Sequence, residues 1–243
     1  MTAPSLVAGR RSVLEAIRAG RAIEVRVAEG ARRTPALREV LAAASRAGVR
    51  VETVSRDELD ATGTDHHGVV AEVRASRDLG ERELSSWDFG RSDLVVVLDG
   101  IEDPQNLGAA ARVAEAAGTA MLVTRLRRAA PVTPVAVRAS AGALLHLPHA
   151  RVANIPRALD RLKDAGFSVV GLSERAGPDM YERPCPLGRV ALVVGAEGTG
   201  LSRLVRERCD LLVSVPMRGR VESLNASVSL AVVLFAYVVP SRK

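Results

Sequence analysis

Aromatic side chains are scarce, with one Trp, two Tyr and three Phe in 243 residues. Stacking of bases on aromatic rings is therefore excluded as the main way this chain would hold a nucleic acid. Cysteine is scarcer still. Cys185 and Cys209 lie 24 residues apart and neither sits in a Cys-x-x-Cys pair, which excludes a disulfide framework and leaves two buried thiols as the expectation. The histidines are His66 with His67 and His146 with His149, without Cys or carboxylate partners at ligand spacing, so no metal is expected. Long apolar runs are missing too. The longest, Val228 to Val239 with Ser229 inside it, has 12 residues where a membrane span needs about 20. Arg10 and Arg11 interrupt any apolar stretch near the start that could serve as an export signal, so a cytoplasmic protein is expected, with no membrane partner.

What is present describes a folded protein. Apolar residues make up 47% and charged residues 26%, enough for a sizeable core, and the length suits two compact domains. Of 34 basic residues only Lys163 and Lys243 are lysines. Between Glu115 and Asp160 there is no acidic residue, while Arg125, Arg127, Arg128, Arg138, Arg151 and Arg157 fall inside, matching the whole net charge of +6. Most surface arginines are simply solvated, but a cationic stretch of this kind suits a phosphate backbone, whose geometry the guanidinium fork matches. RNA or DNA is the leading partner class, read by backbone and shape.

The pattern along the chain is α/β. An amphipathic segment from Leu6 to Ile17 ends at Gly20, and Ile23, Val25 and Val27 alternate as a strand. Thr34 with Pro35 opens a helix over Leu37, Val40, Leu41 and Ala44, which Gly48 stops. Val49, Val51 and Gly68 to Val73 supply further strands, giving a first domain over 1–75. The polar, aperiodic stretch at 76–92 reads as a linker in which Trp87 and Phe89 are anchors. In the second domain, 93–243, strand-like runs recur at Leu94–Leu98, Thr119–Val123, Phe167–Gly171, Val190–Val194 and Leu211–Val215, with helical segments between. That alternation predicts a mostly parallel sheet covered by helices, with its ligand at the carboxyl ends of the strands.

Three segments stand at such ends. In Leu98 to Gly118 a strand runs into a loop where Asn106 can cap a helix, Gly108 allows close packing, and Arg112 lies within the first two turns. Leu192 to Leu201 ends a strand in three glycines. Gly198 and Gly200 begin a Gly-x-Gly-x-x-Gly pattern, but Arg203 stands at the third position and Glu197 would repel a pyrophosphate, which counts against a dinucleotide oxidoreductase. Val215 to Tyr237 joins a loop shaped by Pro216 and Gly219 to an apolar helix over Leu230 to Val239, with Ser223 or Asn225 as its cap; that helix serves equally as core or as a dimer face.

In this order the segments resemble the TrmH-type (SpoU-like) branch of the SPOUT methyltransferases. The first family motif matches Asn106, Gly108 and Arg112, and the second matches Gly195, Glu197 and Gly198, with Ala196 where Asn is frequent. The third matches Pro216, Met217, Gly219, Ser223, Leu224, Asn225 and Ser227. Asp65 to Val73 resembles the end of the family's substrate-binding domain, with His67 in place of Gln, and Ser140 to Pro148 matches with Leu145 where Glu is frequent.

The resemblance implies an S-adenosyl-L-methionine-dependent 2′-O-methylation of an RNA ribose, a deep trefoil knot, no metal, and a homodimer whose partner helps to build the site. The two-domain length favours enzymes acting on a guanosine of large-subunit (23S) rRNA; methylation of tRNA or of an antibiotic-target rRNA site, or RNA binding without catalysis, are the alternatives. Carried over, Arg112 is the catalytic arginine, and Asn106, Glu197, Ser223 and Asn225 orient it and the ribose. Main-chain groups around Gly195, Val215 and Leu224, with Gly198, Met217 and Gly219, hold the donor. Arg125, Arg127, Arg128 and Arg138 are the expected RNA phosphate contacts.

Overall fold

The computed structural model describes residues 5–63, 65–74, 79–90, 93–173, 178–221 and 223–242. They fall into two compact units, one within Met1–Arg77 plus Val132–His146 and the other within Asp78–Pro131 plus Leu147–Lys243.

In the first unit β1 (Ser5–Ala8) precedes α1 (Arg10–Arg18), so the segment expected to be one helix from Leu6 to Ile17 is a strand and then a helix. Gly9, the N-cap of α1 at φ 87°, makes the break, a backbone conformation that neither strand nor helix uses and that suits glycine. There follow β2 (Ala22–Ala28), α2 (Pro35–Ala47), β3 (Arg50–Val54), α3 (Arg56–Asp60) and β4 (Val69–Val73). The ends of α2 are those its sequence predicts: Thr34 accepts from the Leu37 N–H, Pro35 takes the first position, and Gly48 closes it at φ 66°. The strands order β1-β4-β2-β3, with β2 and β3 parallel and the other pairs antiparallel.

The second unit opens with α4 (Glu81–Ser86) inside the stretch expected to be a linker. Its Leu84 and the following Phe89 are buried in the core, where Phe89 meets Phe167 edge-on at 4.8 Å between centroids. A helix this short shows no apolar period, which is why the sequence reads as irregular there; residues 75–78, 91 and 92 of the expected linker and its borders lie outside the described set. The Arg157 guanidinium, hydrogen-bonded to Glu81, holds that carboxyl below its ordinary range.

Next come β5 (Leu94–Asp99), α5 (Pro104–Ala116) and β6 (Met121–Arg125). The chain then contributes α6 (Pro134–Ala139) and α7 (Ala143–His146) to the first unit, where Arg138 pairs with Asp65 at 2.7 Å and His146 with Glu15 at 3.1 Å. The expected division at 75 and 93 thus omits a segment that contacts, rather than sequence order, assign to the first unit. The second unit resumes with β7 (His149–Val152), a strand too short and polar to be read from sequence, then α8 (Ile155–Asp164) and β8 (Ser168–Leu172). It closes with β9 (Val190–Gly195), α9 (Arg203–Arg208), β10 (Leu211–Val213) and α10 (Ala226–Val233), which runs on through a π-helical turn to Val238.

Among the described residues, this unit's sheet has six strands, all parallel, in the order β10-β8-β9-β5-β6-β7. From β5 the chain moves outward through β6 and β7, then crosses over to lay β8, β9 and β10 on the other side. Such a reversal leaves a crevice beyond the carboxyl ends of β5, β9 and β8. Every residue of β5 and β9 is buried, as central parallel strands require. Cys185 is buried; Cys209, also expected to be buried, is only half-buried, its Sγ donating to the Val205 carbonyl while desolvation pushes the thiol up to about 12. Among the described residues no helix is long and apolar enough to cross a membrane.

Candidate active site

The crevice is built by three loops. The chain leaving β9 folds back at once: the Gly200 N–H donates to the Ala196 carbonyl at 2.8 Å, and Gly198 and Gly200 take φ of 75° and 64°. An ideal Cβ at Gly195 would lie 2.1 Å from the Gly200 carbonyl carbon, so this hairpin closes only over glycine. Glu197 stands exposed near its tip.

Beside it, Asp99 ends β5 in register with Gly195, its side chain 1% exposed. One carboxylate oxygen accepts from Arg125 Nε at 2.9 Å and the other from the Ser202 N–H at 2.9 Å. Asp99 therefore ties the ends of β5 and β6 to the returning arm of the Glu197 hairpin.

The start of α5 differs from expectation. Asp103, not Asn106, caps it, accepting from the Gln105 N–H at 2.9 Å with Pro104 in the first position. Asn106 lies inside the first turn, its amide free to reach out of the helix. Asn106 Nδ2 donates to Glu197 Oε1 at 3.0 Å. Asn225 Nδ2 donates to the same oxygen at 2.6 Å and to Asn106 Oδ1 at 2.9 Å, and the Ala226 N–H adds a bond at 3.3 Å. Asn225 Oδ1 meanwhile accepts from the N–H and hydroxyl of Ser227, so Asn225 is the cap of α10. Three residues 119 positions apart at the extremes form one polar cluster.

Of the other expected site residues, Gly195, Gly198 and Leu224 line a cavity beside the cluster, together with Leu172 at the end of β8, Ser173 just after it, and Leu201. Val215, Met217 and Gly219 are not on that lining, and Ser223 makes no hydrogen bond to the cluster among the described residues. Leu172 and Ser173 went unread, although the rule that ligands sit at strand ends points to them. Arg112 is exposed on α5 and lines neither this cavity nor its neighbour.

The four arginines expected on RNA differ in setting. Arg125 is held by Asp99 and Arg138 by Asp65, whereas Arg127 and Arg128 are exposed and make no ion pair among the described residues. No group of His, Cys, Asp and Glu among the described residues is arranged to hold a metal ion.

Two family models cover nearly the whole chain. The SpoU rRNA methylase model matches residues 93–235, and the RNA 2′-O ribose methyltransferase substrate-binding model matches residues 6–79. The chain belongs to the SpoU rRNA methylase family. The 23S rRNA (guanosine-2′-O-)-methyltransferase RlmB of Vibrio cholerae is 39% identical over 221 residues, 90% of this chain and 89% of its own. The protein of the same name from Ralstonia nicotianae is 40% identical, covering 98% of this chain and 96% of its own. Among solved SpoU structures, that of the methyltransferase AviRb from Streptomyces viridochromogenes superposes with a TM-score of 0.80 at 28% identity, over 98% of this chain and 90% of that one. The same enzyme in complex with AdoMet gives 0.76 over 96% and 88%.

Proposed function

We propose that this protein transfers a methyl group from S-adenosyl-L-methionine to the ribose 2′-hydroxyl of a guanosine in 23S rRNA. The observation that carries the reading is the Asn106–Glu197–Asn225 cluster beside the cavity at the sheet's reversal point. The residues fit the donor: Leu172, Val194, Leu201 and Leu224 offer an apolar bed for an adenosyl group, and the Glu197 carboxylate suits a sulfonium cation. When bound, the donor supplies a methyl carbon already activated by its positive sulfur.

The protein's own task is to align the ribose oxygen and assist loss of its proton as the new C–O bond forms and the C–S bond breaks. Asn106 and Asn225 fix the Glu197 carboxylate, and the open face of that group helps to orient the ribose. The Arg112 guanidinium offers a planar fork of donors and no acceptor, so its part is to stabilise negative charge developing on the 2′ oxygen or to fix the adjacent phosphate. It does so in a homodimer: α10 packs on α5, and Val228 and Phe235, 47% and 48% exposed, offer an apolar face for a second copy. The trefoil knot and a cytoplasmic location belong to the same reading, which family membership supports.

The test is transfer of labelled methyl from S-adenosyl-L-methionine to unmodified 23S rRNA and, in parallel, to total tRNA, with nucleoside analysis of the product. Label in 2′-O-methylguanosine from rRNA is expected; label in tRNA alone, or none with donor bound, overturns the assignment.

Two further outcomes follow from the arginines. Arg112→Lys keeps the charge and loses the fork, and is expected to lower kcat by about a hundredfold with Tm unchanged, because the side chain is exposed. Full turnover would remove the bidentate role. RNA contact falls first to Arg127 and Arg128, so RNA affinity should fall steeply with salt, and Arg127→Gln should reduce the slope of log K against log salt by about one. A flat salt response would exclude a phosphate contact.

A further inference from the structure

A second cleft of about 540 Å³ adjoins the cluster, at the carboxyl ends of β5, β6 and β9. Most of its charged groups already have partners within the fold. Asp99 is neutralised by Arg125, Glu197 holds two amides, and Asp103 caps α5. Two charges remain. Glu102 and Arg128 both line the cleft, come from different loops, and make no hydrogen bond or ion pair among the described residues, either with each other or with a third group. Their loops are stitched together by the Ala130 N–H, which donates to the Ile101 carbonyl at 2.8 Å. Arg128 also adopts φ 55°, a left-handed conformation that costs any residue but glycine, and such strain persists where the surroundings impose it.

A carboxylate and a guanidinium held apart in one cleft call for a ligand that presents paired donors to the first and paired acceptors to the second. Guanine does this: its N1–H and N2 amino group are adjacent donors, and its O6 and N7 are adjacent acceptors that match an arginine fork. Adenine has an acceptor at N1, no amino group at C2 and a donor at N6, so it offers neither pair, and the pyrimidines lack the second edge. With aromatics so scarce in this chain, hydrogen bonding rather than stacking has to carry the choice of base.

We propose that Glu102 and Arg128 read the target guanine, Glu102 accepting from its N1–H and N2 amino group and Arg128 donating to its O6 and N7. This rests on the methyltransferase reading above and adds the residues that choose the base. It makes Arg128 a base-edge contact, distinct from the phosphate contact of Arg127.

The experiment uses the full chain and rRNA in which the target guanosine is replaced by inosine, which lacks the N2 amino group, or by 7-deazaguanosine, which lacks N7. Wild type is expected to lose about tenfold or more in kcat/KM on each. Glu102→Gln should lose a similar factor on guanosine and almost nothing further on inosine, with donor affinity unchanged. Arg128→Gly keeps the left-handed backbone, so it should fold normally, lose activity on guanosine, and not distinguish guanosine from 7-deazaguanosine. If both variants retain the full analogue penalties of wild type, other residues read the base and the proposal is overturned. If wild type methylates no guanosine at all, the methyltransferase reading fails instead, so the two failures are distinguishable.

Discussion

Gly195→Ala is expected to abolish donor binding and to lower Tm by on the order of 10 °C. The added Cβ would sit 2.1 Å from the Gly200 carbonyl carbon, 2.3 Å from its oxygen and 2.4 Å from the Leu201 nitrogen. These are backbone atoms with no rotamer to yield, so the hairpin has to open. Opening it breaks the Ala196–Gly200 bridge and swings Glu197 away from Asn106 and Asn225. Overpacking of a tight site costs about 1–3 kcal/mol, and occasionally more; the loss of the cluster adds to it. Gly219→Ala is the control, because a Cβ there meets nothing within 4 Å. Calorimetric titration with S-adenosyl-L-methionine and thermal unfolding decide the matter, and a Gly195→Ala variant that binds donor normally would show that the hairpin is not the donor's bed.

Asp99→Asn should be the most costly change at a charged residue, by roughly 2–4 kcal/mol. The carboxylate is 1% exposed and compensates a guanidinium that is 31% exposed. Asparagine can still accept from the Ser202 N–H, but its amide then faces Arg125 donor to donor, leaving a half-buried cation without a counter-charge. Adding Arg125→Gln should restore part of the stability, because two neutral amides can hydrogen-bond where a lone cation cannot. Chemical denaturation of the two single variants and the double gives the coupling; strict additivity would mean that the pair does not hold the strand ends together.

Much of this was legible in the sequence. Parallel strands announced themselves as short apolar runs, and the glycines around Glu197 marked the turn that closes over it. The three motif segments were also recognisable as strand-end loops, since each couples an apolar run to residues that favour turns and caps. Other features were hidden for physical reasons. Asp103 and Asn106 are both good capping residues, and the Pro104 that follows Asp103 is the one local sign of which serves, the same sign that Pro35 gives for Thr34. The strand over His149–Val152 is too short to show a period, and the helix over Glu81–Ser86 is anchored by single apolar residues. The arginines at 125 and 138 read alike as free cations, because their partners, Asp99 and Asp65, are distant in sequence. Affiliation of 132–146 with the first unit is likewise a matter of contacts that composition does not encode.

Asn225 has a consequence for the order in which this protein becomes competent. Asn106 and Glu197 are synthesised with the strands that carry them, but the residue that joins them follows β10, after every strand of the sheet has been made. A growing chain can therefore assemble its whole sheet and still lack the cluster, because the amide that bridges Asn106 to Glu197 also starts α10. Capping that helix and completing the site are one event, and a nascent chain stays inert until it happens.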